Sequence, residues 1–252
     1  MPKAETHLVG ESAVIDEEGQ VTDPAAILAP PERLPSARGA AWGRPVGKGL
    51  LHLLWRVRVY GAEHVPQEGS ALIAANHTGI VDGPLMFGTC PRPVHALTKD
   101  EMFFWPLGPV LTGAGQIPVV RTTLDVPALR ACLGVLRDGR LLGIYPEGSR
   151  GDGDFAAVKG GAAWLALRTG APIVPLVCFG VRRTNGSVSL PPRPRTPMDV
   201  VYGPPFRVEA PEPWGRYLPR RIVAKVTEQI HTRLLEHLAY ACELTGRASP
   251  LS

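Results

Sequence analysis

The chain has 252 residues, enough for one sizeable α/β domain with a full core plus appendages. Its 27 basic and 23 acidic residues give a formal net charge of +4, unevenly spread: residues 1–32 hold seven acids and one lysine, leaving 26 basic against 16 acidic residues in the rest. A cationic body suits anionic lipid, a phosphorylated substrate or nucleic acid; with no zinc-ligand spacing, aromatic-basic RNA motif or DNA-reading helix, nucleic acid is not expected.

Residues 1–40 are acidic, proline-rich and aperiodic, which predicts a disordered leader ahead of one domain over 41–252. The leader lacks a basic-then-apolar signal, so export is not expected. The stretch Gly49-Leu50-Leu51-His52-Leu53-Leu54-Trp55-Arg56-Val57-Arg58 predicts a short amphipathic helix. Its Trp and arginines suit a bilayer interface, and packing on the domain's own core is the plainer alternative.

Strand and helix signals then alternate. Residues 57–60, 71–75, 94–98, 116–120, 141–145, 173–178 and 198–202 read as strands, and 83–88, 126–137 and 158–168 as helices. The alternation predicts an α/β fold with a mixed, largely parallel sheet flanked by helices. Met102 to Val120 is uncharged over 19 residues, long enough to span hydrocarbon. Pro106, Pro109 and Pro118 with three glycines interrupt it, so it is predicted not to span. Residues 184–197 read as a Pro-, Arg- and Ser-rich loop. Pro219 to Leu244 carries Ile222, Val226, Ile230, Leu234 and Leu238 four apart, a long C-terminal amphipathic helix. Cys90, Cys132, Cys178 and Cys242 have no paired spacing and read as free thiols in a reducing compartment.

Chemistry concentrates at the ends of the strand-like runs. After Ala71-Leu72-Ile73-Ala74-Ala75 comes Asn76-His77-Thr78-Gly79-Ile80-Val81-Asp82. On a single helix, side chains five apart diverge by roughly 140° and cannot meet. If His77 ends a strand and Asp82 caps the next helix, with Pro84 in its first turn, the carboxylate can fold onto the ring. Such a pair fixes the imidazole tautomer and frees the other nitrogen as a general base. The plain alternative is a hydrogen-bonded loop histidine beside a helix cap. A second block, Tyr145-Pro146-Glu147-Gly148-Ser149-Arg150, follows Leu141-Leu142-Gly143-Ile144, and a third run, Gln116 to Val120, ends in Arg121. Open α/β sheets place their sites at such strand ends. Asp152-Gly153-Asp154 invites a calcium loop, but Ala163 stands where the bidentate Glu would fall, so no metal is expected.

The order of these blocks, Asn76 to Asp82, Gly115 to Arg121, Tyr145 to Arg150 and Ala171 to Leu176, resembles the 1-acylglycerol-3-phosphate acyltransferases and their glycerolipid relatives in the lysophospholipid acyltransferase superfamily. The resemblance runs from about Val57 to Tyr202. It implies a glycerol-3-phosphate acyltransferase-like fold and acyl transfer from a thioester to a glycerolipid hydroxyl. His77 would be the base and Asp82 its orienting partner. Lys99, Arg121, Glu147, Gly148, Ser149 and Arg150 would contact the acceptor's phosphate and glycerol. The donor would be acyl-CoA or an acyl carrier protein, with no cofactor. The acceptor would be lysophosphatidate-like, and the enzyme peripheral on the cytoplasmic face of the membrane. Two positions depart from the family pattern: Val120 replaces the usual acid before the arginine, and Gly151 the usual serine after the third block.

The chemistry agrees with that expectation. An alcohol is a poor nucleophile, and a base taking its proton as it attacks contributes roughly 10²–10⁴-fold. Guanidinium forks grip phosphate oxygens bidentately. Backbone N–H groups near Gly148 or Gly79 are candidates for stabilising the oxyanion. The competing classes are an acyltransferase with another lipid or glycolipid acceptor, a lipid or thioester hydrolase, and a non-catalytic lipid-binding module. Against hydrolysis, the Gly-x-Ser-x-Gly elbow is absent, since Glu147 precedes Ser149 by two.

Overall fold

The computed structural model describes residues 14–15, 21–22, 24–120, 124–183, 189–209 and 218–251. Strands β1 (Val14–Ile15) and β2 (Val21–Thr22) pair antiparallel in a small hairpin. Helix α1 (Pro24–Leu28) follows, with Ile27 buried in the main core and the carbonyls of Ala26 and Leu28 accepting from Arg130 and Arg137. Residues 24–28 and 37–40 thus lie in helices, although composition predicts disorder across 1–40; residues 1–13, 16–20 and 23 of that segment lie outside the described residues. The average over an acidic segment hides a single apolar anchor.

Helix α2 (Ala37–Leu54) begins well before the predicted Gly49. Ser36 Oγ caps it, accepting from the Gly39 N–H at 3.0 Å. Its glycines Gly43 and Gly47 lie against Phe87, and Leu51 against Gly88. The small residues let α2 lie close on helix α3 (Asp82–Thr89). They also explain why helix propensity alone does not reveal α2: four glycines and Pro45 interrupt it.

The seven-stranded sheet has the order β3-β9-β8-β4-β7-β5-β6. Its strands are β3 (Arg56–Tyr60), β4 (Ala71–Ala75), β5 (Val94–Lys99), β6 (Ile117–Val119), β7 (Leu141–Ile144), β8 (Ile173–Phe179) and β9 (Pro197–Tyr202). All neighbours are parallel except β8 and β9. The mixed, largely parallel sheet is therefore as predicted, with strand bounds shifted by a residue or so.

Alternate residues of the central strands feed two cores. Leu72 and Ala74 join one with Leu133 of α5 (Val126–Arg137), Leu165 of α6 (Gly161–Thr169) and Ile230 of α7 (Arg220–Thr245). Ala71, Ile73 and Ala75 join the other with Leu51 of α2 and Leu85 and Met86 of α3. That is a helix–sheet–helix sandwich, buried on both faces, which is why the strands read as continuous apolar runs. Asp199, fully buried in β9, is held by Arg58 through both oxygens (2.6 and 2.9 Å) and by Arg247 Nε at 2.8 Å, which ties the segment after α7 to the sheet.

After β5 a short 3-10 turn (Asp100–Met102) leads into the uncharged stretch, which forms helix α4 (Leu107–Gly113) before β6. Among the described residues no helix is long and apolar enough to cross a membrane. All four cysteines are free.

Candidate active site

Because β4, β5, β6 and β7 run parallel, their carboxyl ends share one edge of the sheet. His77 follows the central strand β4, and Tyr145 to Arg150 follow its neighbour β7. Sheet order therefore unites blocks separated by some seventy residues of chain.

Asn76 prepares the geometry. Its Oδ1 accepts from Cys178 N–H at 2.8 Å and its Nδ2 donates to Cys178 C=O at 3.1 Å. The side chain thus continues the β4–β8 pairing after the main chain turns away, and it is fully buried.

The imidazole of His77 is 6% exposed, and its Nδ1 lies 2.8 Å from Asp82 Oδ2. The same oxygen accepts the main-chain N–H groups of Thr78 (2.7 Å) and Gly79 (2.8 Å). Asp82 is 1% exposed. A carboxylate held by three donors cannot swing away, so Nδ1 stays the donor and Nε2 is left as the acceptor. Nε2 makes no hydrogen bond among the described residues. One detail differs from the sequence expectation. Asp82 is the first helical residue of α3, not its N-cap: Val81 takes that place, and the carboxylate turns back onto residues 77–79 instead of capping the helix.

The Tyr145–Arg150 block holds His77 from the other side. Glu147 Oε1 accepts the His77 N–H at 3.1 Å, and Gly151 N–H donates to the His77 carbonyl at 2.8 Å. The Tyr145 ring stacks on the imidazole, with centroids 4.0 Å apart and planes 19° from parallel. Burial pushes the Glu147 carboxyl up to about 7, and the nearby carboxylates Asp154, Asp82 and Asp152 add to this against the opposing His77 N–H. Burial also raises the Tyr145 hydroxyl well above the phenol range, and among the described residues that hydroxyl has no hydrogen-bond partner.

The other predicted residues fall as follows. Gly148 takes a left-handed turn (φ +76°), with the methylenes of Lys159 lying over it. Ser149 is exposed and Arg150 half-buried on the same turn. Lys99 ends β5 and pairs with Glu101 at 2.6 Å on the surface. Arg121 lies outside the described residues. The N–H groups of Gly79 and Gly148 are already spent, on Asp82 and on the Tyr145 carbonyl respectively. Sequence reasoning passes over Asn76's bridge, Tyr145's stacking and the position of Lys159. The first two lie inside the motifs it found, whereas nothing local marks Lys159.

The Acyltransferase family matches residues 56–179, the span that contains every element of this site. A 1-acyl-sn-glycerol-3-phosphate acyltransferase of Bacillus subtilis is 33% identical over 136 residues, 53% of this chain and 67% of its own. An uncharacterized protein of Mycobacterium tuberculosis is 31% identical over 199 residues, 68% of this chain, of which the chain spans about half (53%). Among solved structures, the 1-acyl-sn-glycerophosphate (LPA) acyltransferase PlsC of Thermotoga maritima superposes with a TM-score of 0.58 at 21% identity, covering 79% of each chain. It shares the fold: a mostly parallel sheet between helices. By sequence and by fold together, the chain belongs to the acyltransferase family that includes the 1-acyl-sn-glycerol-3-phosphate acyltransferases.

Proposed function

We propose that this enzyme moves a fatty acyl group from an acyl thioester, on coenzyme A or an acyl carrier protein, to the hydroxyl of a lysophosphatidate-like glycerolipid, a step of phospholipid synthesis. The observation that carries the mechanism is the buried 2.8 Å contact between His77 Nδ1 and Asp82 Oδ2. It supports Nε2 as the base that takes the hydroxyl proton while the alcohol oxygen attacks the thioester carbon. The tetrahedral intermediate then expels the thiolate, and the imidazolium returns its proton to sulfur. No metal and no covalent enzyme intermediate is needed, because the thioester is already activated. Arg150, on the turn beside His77, Lys99 at the end of β5, and Arg121, two residues past β6 in the sequence and outside the described residues, are the proposed grips for the acceptor's phosphate.

A membrane-facing surface fits this reading. Trp42 (79% exposed), Val46, Leu50 and Leu53 (77%) line the outer face of α2, and Phe104, Trp105 (81%) and Val110 are exposed around α4. Large apolar side chains point outward while Gly39, Gly43 and Gly47 of α2 pack inward, the reverse of a water-facing helix. At the end of α2 the loop carrying Arg193 and Arg195 folds against it, through Arg195 N–H to Leu54 C=O and Trp55 Nε1 to Pro192 C=O at 3.3 Å. That arrangement suits peripheral docking on anionic lipid at the cytoplasmic face.

The test is a mass-spectrometric assay crossing acyl-CoA and acyl carrier protein donors with several lysolipids. Diacyl product that requires both substrates is expected with wild type and absent with His77→Ala. Fatty acid release without acceptor would instead favour a hydrolase.

A further inference from the structure

The acid of the Tyr145–Arg150 block has a carboxylate oxygen bonded to the backbone of His77. The His77 peptide is gripped at both ends by one turn: its N–H by Glu147 Oε1 at 3.1 Å, its C=O by the Gly151 N–H at 2.8 Å. Above that grip the Tyr145 ring covers the imidazole. The carboxylates Asp154, Asp82 and Asp152 act on Glu147, while the cations nearby are Arg150 on the same turn, Lys159 over Gly148 and Arg182 paired with Asp152. A carboxylate repels an acceptor phosphate, so phosphate binding does not account for a glutamate at this position. A main-chain N–H beside the reacting histidine does account for it, because a buried donor left without an acceptor is destabilising and loosens the group it carries.

We infer that Glu147 is a positioning residue: it fixes the backbone of His77, and through it the aim of Nε2, without touching the acceptor. The inference rests on His77 being the general base. It also gives the Gly151 departure a meaning. A Cβ at position 151 would sit 3.6 Å from Glu147 Oε2, so the family's usual serine would bring a hydroxyl within reach of that oxygen. In this chain Oε2 lacks that support, and the grip on His77 depends on Oε1 alone.

Three variants separate the alternatives. Glu147→Gln keeps an oxygen acceptor for the His77 N–H and should hold kcat within roughly threefold of wild type. Glu147→Ala removes the acceptor and should lower kcat roughly 10- to 100-fold, with the acceptor KM within about twofold. Gly151→Ser, which adds a donor to Oε2, should move any Glu147-dependent limb of the kcat pH profile to lower pH. A readout independent of turnover is the downfield proton resonance of His77 Nδ1–H, expected to be kept in Glu147→Gln and shifted or lost in Glu147→Ala. A raised acceptor KM with kcat intact in the alanine variant would overturn the inference, as would a glutamine variant as impaired as alanine. If wild type transfers no acyl group to any lysolipid, the functional reading fails instead, and the resonance still decides whether Glu147 positions the ring.

Discussion

Asp82 Oδ2 reaches the imidazole of His77 and, at the same time, the main-chain N–H groups of Thr78 and Gly79, all within 2.7–2.8 Å. One buried oxygen thus shapes the turn and orients the base, so its loss should damage fold and chemistry together. Asp82→Ala leaves two buried N–H groups without an acceptor and should lower stability by roughly 2–4 kcal/mol. Asp82→Asn leaves an oxygen for the backbone but cannot stabilise the imidazolium. It should melt close to wild type while kcat falls about 10²–10⁴-fold. Thermal melts run beside acyl-transfer kinetics would separate the two effects, and an active Asp82→Asn would remove Asp82 from the mechanism.

The amide of Asn76 bridges both main-chain groups of Cys178. Asn76→Ala strands a buried N–H and a buried C=O between two central strands, and roughly 2–4 kcal/mol of stability should go with them. Asn76→Asp places an oxygen against the Cys178 carbonyl and should fare worse at pH 8. Urea unfolding at fixed pH measures both, and a loss below about 0.5 kcal/mol for the alanine variant would show the bridge to be dispensable.

Tyr145 presents its ring to His77 and leaves its hydroxyl shut inside without a partner. Tyr145→Phe keeps the stack and removes the unpaired group. It should be as stable as wild type or more stable by about 1 kcal/mol, with activity preserved within a few-fold. Tyr145→Leu loses the flat platform and should reduce kcat by roughly tenfold. Equal activity in all three proteins would show the stacking to be incidental.

Glu147 gives a pH signature in stability. Its folded value is raised from 4.5 to about 7, so its protonated form is favoured by the fold. The contribution is fully present below about pH 4.5 and is lost as pH rises through about 7. Glu147→Gln cannot ionise, so its stability relative to wild type should improve between pH 5 and pH 8 and then level off. Melting curves of the two proteins across that range give the comparison, and a gap that stays constant with pH would contradict a raised carboxyl.

The outer face of α2 carries Trp42 and Leu53 almost fully in water. Burying each in a bilayer interface is worth roughly 1.5–3 kcal/mol, so Trp42→Glu with Leu53→Glu should weaken co-sedimentation with phosphatidylglycerol vesicles at least tenfold. Exposed positions of this kind change stability by only about 0.5 kcal/mol, so the melting temperature should hardly move. Unchanged vesicle binding would place the membrane contact elsewhere.

Much of this was legible in the chain because it is local or repetitive. Apolar runs of four to seven residues ending in polar clusters gave the strands and the edge on which chemistry gathers. His77 and Asp82 are five apart, so one tight turn suffices to join them. The fold of residues 24–40 was not legible, because Ile27 finds its place only against α5, about a hundred residues on. Helix α2 was only half legible: its glycines depress helix propensity, and only α3, against Gly43 and Gly47, and α4, against Gly39, give their smallness a purpose.

By itself, the sequence determined the layered α/β architecture, the family and the pairing of an imidazole with an acid, since each depends on patterning or short spacing. Only the tertiary structure decided what surrounds that pair: Asn76 on Cys178, Glu147 on the His77 backbone, Tyr145 on its ring, and which side of α2 faces outward. The reason is physical. Those partners lie 68 to 102 residues apart, and the order in which the strands assemble, which no local pattern states, is what brings them into contact.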